Sequence, residues 1–83
     1  MPTENPDPIN RAMADELVAL YKGKRMTQAT LVELTGINAT TMQRIMAGKS
    51  AIYIAQLFSL ASALDTSAEA IVEGAERRLA ENA

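Results

Sequence analysis

Residues 27–48, TQATLVELTGINATTMQRIMAG, decide the fold. They form two short runs of helix-forming residues on either side of Gly36. The first run, residues 28–35, carries Leu31, Val32 and Leu34. The second, residues 39–46, carries Met42, Ile45 and Met46, with Ile37 just ahead of it. A helix of about eight residues is marginal in water on its own. Each run must therefore bury its apolar side against the other and against flanking helices. The opposite side of the second helix, with Ala39, Thr40, Thr41, Gln43 and Arg44, is left facing outward. A compact polar face with one Arg and one Gln suits the edges of DNA bases.

The caps around this pair are readable. Thr27 is placed to cap the first helix and Asn38 the second, because a short oxygen-bearing side chain can accept a bond from an unpaired N–H of the first turn. Gly36 is expected in the left-handed region, where a glycine ends a helix at little cost. Upstream, Asp7-Pro8 marks a helix start, and Ile9, Met13, Leu17, Leu20 and Tyr21 recur at helical spacing. That helix is expected over 8–22, ended by Gly23. Downstream, residues 47–50 form a loop. A helix over 53–64 follows, with Ile54, Leu57, Phe58, Ala61 and Leu64 as its apolar stripe. Ser67 caps a fifth helix, in which Gly74 is a weak point costing about 1 kcal/mol against Ala.

Composition supports an all-α fold, a compact bundle of four to five helices. The chain has 83 residues, 48% of them hydrophobic, with few aromatics and no long low-complexity segment. There is no Cys and no His. Disulfides, thiolate or imidazole metal sites and His-dependent catalytic triads are excluded together. The chain reads as non-enzymatic, with no cofactor, metal or small-molecule ligand implied. No apolar run approaches the roughly 20 residues of a membrane span, and a cytoplasmic location is expected.

The net charge of −2 argues at first against a nucleic-acid partner, but its distribution does not. Residues 22–49 hold five basic residues (Lys22, Lys24, Arg25, Arg44, Lys49) and one acidic residue (Glu33), giving +4. The flanking segments are each acidic. The positive block coincides with the helix pair, and the local field is what attracts a phosphate backbone.

From Met26 to Val72 the chain resembles the Cro/C1-type (XRE-like) helix-turn-helix family of phage repressors, Cro proteins and bacterial regulators. The carrying pieces are MTQATL at 26–31, Gly36-Ile37, TMQRIMAGK at 41–49 and LFSLASALDTS at 57–67. The resemblance implies a lambda-repressor-like DNA-binding domain with its helix-turn-helix at about 27–47. It implies that the helix over 39–46 enters the major groove, with Ala39, Thr40, Gln43 and Arg44 at base edges. Thr41 then falls at the groove wall, and Gln28 and Lys49 at phosphates, with Lys24 and Arg25 as further backbone contacts. Gln28 is also where the family buttresses the recognition helix. Three positions depart from the pattern: Val32 where a small Ala is usual, Ala39 where a polar residue is usual, and Ala47 in place of Asn.

The organisation expected is a disordered arm over 1–7, the DNA-binding domain over 8–75 and a helical tail over 76–83. The function implied is sequence-specific binding of a double-stranded operator by a phage Cro or immunity-type repressor. A protein-interaction module such as an antitoxin or adaptor, or an excision accessory factor, is the alternative. Whether the chain pairs as a homodimer is open: Ala70, Ile71, Ala75 and Leu79 can form a dimer seam or fold back on the first helix, the second being favoured for Ile71.

Overall fold

The computed structural model describes residues 7–81, and five helices run through them: α1 (Pro8–Gly23), α2 (Gln28–Thr35), α3 (Ala39–Met46), α4 (Ile54–Ala63) and α5 (Ala68–Glu81). The all-α architecture expected from the sequence is the observed one. Of the expected arm, residues 1–6 lie outside the described residues. No described helix is long and apolar enough to cross a membrane.

The starts of the helices follow local chemistry. Asp7 accepts from the Ile9 N–H at 2.8 Å, Thr27 from Thr30 at 3.2 Å, Asn38 from Thr41 at 2.8 Å and Ser67 from Ala70 at 3.0 Å. Each of these satisfies one of the donors that a helix N-terminus leaves unpaired. Tyr53 has no such oxygen within reach, and Gln56 closes the start of α4 instead by accepting the Tyr53 N–H at 2.9 Å.

The ends are more varied than expected. Gly36 is left-handed (φ 78°) as anticipated, and its N–H bonds the Val32 carbonyl at 2.9 Å. Thr35 braces this turn, its hydroxyl donating to the Leu31 carbonyl and accepting from the Ile37 N–H. Gly23 is the last residue of α1, but the left-handed residue is Arg25 (φ 59°). The Arg25 N–H reaches the Lys22 carbonyl at 3.0 Å and the Met26 N–H reaches Tyr21 at 2.9 Å. These are the paired bonds of a Schellman cap. The same pair closes α3 around Gly48 (φ 75°) and α4 around Asp65 (φ 55°).

The core gathers one side of every helix. Leu17, Leu31, Met42, Ile45, Leu60, Leu64 and Ile71 are sealed from solvent, and Tyr21, Met46 and Leu57 nearly so. Each such side chain contributes about 1.5–3 kcal/mol by leaving water. Met42 and Met46 are core residues and Met13 packs against the core. α5 lies along α1, burying Ile71 and Ala75 against it. The fold-back favoured for Ile71 is therefore what the chain adopts, and a seam built on Ile71 and Ala75 is already occupied. α5 continues unbroken to Glu81, and Arg78 bonds Glu16 of α1 at 3.1 Å.

Four residues expected to face inward face solvent. Ile9 and Leu34 are each 59% exposed. In α4 the buried set is Leu57, Leu60 and Ala61, joined by Leu64 just past its end, while Ile54 and Phe58 lie outside. Residues 51–64 contain no charged side chain. Without a polar side to mark the solvent face, spacing alone fits two overlapping stripes, and packing selects the one that includes Leu60.

Candidate nucleic-acid interface

α3 packs its inner side, Met42, Ile45 and Met46, against α1 and α2. Its period then sends Ala39, Thr40, Gln43 and Arg44 to the opposite side, and all four are exposed. Thr41 is half-buried at the edge between the two sides, and its N–H is held by Asn38. The Arg44 guanidinium swings toward the end of the helix, where Nη2 makes a long contact of 3.5 Å with the Lys49 carbonyl. That contact is at the limit of a hydrogen bond and leaves the guanidinium free to turn.

Gln28 opens α2 and is half-buried. Its Nε2 donates to the Tyr21 hydroxyl at 3.3 Å, across the loop that carries Lys24 and Arg25. Among the described residues no hydrogen bond joins Gln28 to α3. Lys24 and Arg25 are exposed on that loop, immediately before the α2 N-terminus. A helix start carries partial positive charge from its unpaired N–H groups, so loop and helix present one sign of charge.

Lys49 is exposed just past the Gly48 turn. Gly48 itself is buried against α1: a methyl group there would lie 3.2 Å from the Cα of Arg11, 3.5 Å from its Nε and 3.6 Å from its Cζ. Arg11 is thereby laid across the turn that follows α3, the turn that Lys49 follows. The sequence reading left Arg11 out of the basic set, because it sits in the acidic N-terminal segment and nothing in its spacing points to residue 48. Arg11, Arg44 and Lys49 are thus each placed at or next to the turn that ends α3.

A family model described as Cro/C1-type HTH DNA-binding domain matches residues 16–73, well over half of the chain. No curated protein and no solved structure matches it. The matched span contains α2, α3 and α4 whole and leaves Arg11 outside.

Proposed function

The chain belongs to the Cro/C1-type helix-turn-helix DNA-binding family, and we propose that it is a sequence-specific transcriptional regulator of the phage Cro or immunity-repressor kind, acting in the cytoplasm. In this reading α3 enters the major groove of an operator. Ala39 offers a methyl group to thymine, Thr40 and Gln43 offer hydrogen bonds, and Arg44 can hold guanine O6 and N7 with both prongs. Lys24, Arg25, Gln28, Thr41 and Lys49 serve the phosphate backbone, and Arg11 joins them. The residues over 8–75 act as the DNA-binding unit, with the rest of α5 as its tail, and no catalysis is part of the role.

One observation carries the reading. The outer side of α3 is exposed and carries Ala39, Thr40, Gln43 and Arg44 together, while the cations that could neutralise phosphates lie at the end of that helix and before α2. Selection of bound sites from random duplex DNA tests it, with Arg44→Ala alongside. The expected result is a defined site for the wild type and relaxed preference at one position for the variant. Loss of such a contact costs about 1–3 kcal/mol against the right base. Equal loss on selected and random DNA would assign Arg44 to the backbone alone.

The apolar exposed side of α4 favours a second reading, that of a protein-interaction module which has kept the fold. Binding to mixed-sequence DNA separates the two, since a DNA reader loses affinity steeply with salt and an adaptor shows no such dependence.

A further inference from the structure

Ile54 and Phe58 stand one turn apart on α4 and stay 67% and 61% exposed, and the DNA reading gives neither a role. They belong to an open groove of about 350 Å³ between α4 and α5, lined also by Leu57, Ala68 and Val72. Glu69 and Glu73 are the charged side chains that line it, both exposed and both on α5. They stand four residues apart, a spacing at which like charges on a helix repel. Among the described residues the one ion pair joins Arg78 to Glu16, so neither of these carboxylates is neutralised. Arg77, one turn on from Glu73, lines the cleft beside Glu16 and Glu81 instead. Residues 51–64 carry no charged side chain, so the α4 wall supplies no cation either.

We propose that this groove docks an amphipathic helical segment of a different protein, its apolar side on Ile54, Phe58 and Val72 and its lysines or arginines along the flank that meets α5. Charge complementarity selects that occupant. One wall of the groove is apolar and uncharged, and the other carries two unpaired carboxylates. A segment that fills it must therefore be apolar beneath and basic along one edge. An amphipathic helix lays such a face into a hydrophobic groove through anchors at i, i+3, i+4 and i+7. Its basic edge replaces the repulsion between Glu69 and Glu73 with attraction. A second copy of this face would bring the same two carboxylates and no cation. Residues 1–6 of the chain hold Glu4 and no lysine or arginine. DNA and an anionic bilayer are repelled by the same carboxylates.

The apolar anchors supply affinity and the carboxylates supply selection. Reversing the segment end to end would turn its basic edge to the uncharged α4 wall, so Glu69 and Glu73 also set its direction. The site uses neither α3 nor the cations around it, and it stands whether or not the chain reads an operator.

The test is selection of helix-patterned peptides on the immobilised full chain without DNA. The library carries varied apolar residues at the i, i+3, i+4 and i+7 positions and either lysine or glutamate on each flank. The expected result is enrichment of lysine on one flank only. Against a selected peptide, Phe58→Ser and Ile54→Ser should each weaken binding about tenfold or more, as loss of a central anchor does. Glu69→Gln combined with Glu73→Gln should weaken it about 2- to 30-fold, the range for two exposed ion pairs, and high salt should shrink the advantage of lysine. Melting curves should match the wild type's, because these side chains already face solvent. Leu34→Ser, on α2 and 59% exposed, should bind as the wild type does. No enrichment, or enrichment without preference for lysine, overturns the proposal. Binding that survives both α4 substitutions places the peptide elsewhere and overturns it as well. Sedimentation of the wild type alone checks the remaining occupant: self-association that Phe58→Ser abolishes would assign the groove to a second copy and overturn it too.

Discussion

The carboxylate of Glu16 on α1 occupies the space that a Cβ on Gly74 of α5 would need, and from there it accepts from Arg78 Nε at 3.1 Å. Gly74 is thus a weak helix former kept where α5 passes under a charged side chain. The ion pair that results is partly exposed, with Glu16 at 13% and Arg78 at 36%, and such pairs contribute about 0–1 kcal/mol after solvent screening.

Gly74→Ala should accordingly be close to neutral. Alanine gains about 1 kcal/mol in the helix, and Glu16, whose far end is what must move, gives up its bond to Arg78. Chemical denaturation of Gly74→Ala, Glu16→Gln and the double variant checks this. The expected outcome is a stability within about 1 kcal/mol of wild type and a measurable coupling between the two sites. A loss of about 2 kcal/mol or more would mean that the helix backbones themselves cannot tolerate the methyl group.

Arg25→Gly should stabilise the fold. Arg25 holds φ 59° at the end of α1, a conformation that costs a residue with a Cβ about 1–2 kcal/mol and glycine almost nothing. Part of that gain is offset by the greater freedom of glycine in the unfolded chain. A net gain of about 1 kcal/mol corresponds to a melting temperature about 4–8 °C higher in a domain of this size. The same variant should bind DNA less tightly if Arg25 serves a phosphate, so stability and affinity move in opposite directions. A lower melting temperature would show that the Arg25 side chain holds the loop.

The sequence made the helix starts legible and the helix ends only in part. Asp7, Thr27, Asn38 and Ser67 act on N–H groups two or three residues away, and chemistry that local can be read from spacing. Gly36 was open to the same reading, Gly48 was read only as part of a loop and Asp65 only as a break after α4, whereas Arg25 does the same work with a residue that gives no such signal. The exposure of Ile54, Phe58 and Leu34 depends on which neighbours the other helices supply, and no period in their own segments carries that. At the candidate interface the outward set on α3 followed from periodicity once Met42, Ile45 and Met46 were taken as core. The Tyr21 hydroxyl as the partner of Gln28, and the packing of Arg11 on Gly48, arise only when separate helices meet.

Gly36 and Gly48 share a left-handed backbone and differ in what surrounds them, so alanine substitutions separate two effects. At Gly36 (φ 78°) no atom lies within 4 Å of the added methyl group, and the cost is conformational, about 1 kcal/mol. At Gly48 (φ 75°) the methyl group also meets the Arg11 backbone at 3.2 Å, so α1 and the turn must part by a few tenths of an ångström. Gly48→Ala should therefore cost more than Gly36→Ala, up to about 3 kcal/mol in all. Gly36→Val, with a β-branched side chain at positive φ, should cost about 1–3 kcal/mol from strain alone. Equal losses for the two alanine variants would mean that α1 yields freely at Arg11.

Arg11 and Lys49 should act on DNA as charges and not as readers. Lys49 is a flexible point charge, unable to grip a base edge with two prongs as Arg can, and it stands past the end of α3. Arg11 comes from α1 and reaches the same turn by packing over Gly48. If both neutralise phosphates, Lys49→Gln and Arg11→Gln should each weaken binding to a selected site and to a scrambled duplex alike. Each should lower the slope of log affinity against log salt by about 0.9, and the double variant by about twice that. Arg11→Gln keeps a long uncharged side chain over the turn, so the melting temperature reports separately on whether packing at Gly48 has been disturbed. A parallel salt slope at full stability removes the substituted residue from the interface. A shifted base preference in Lys49→Gln would instead put the turn after α3 inside the groove, which its position beyond the exposed Gln43 and Arg44 argues against.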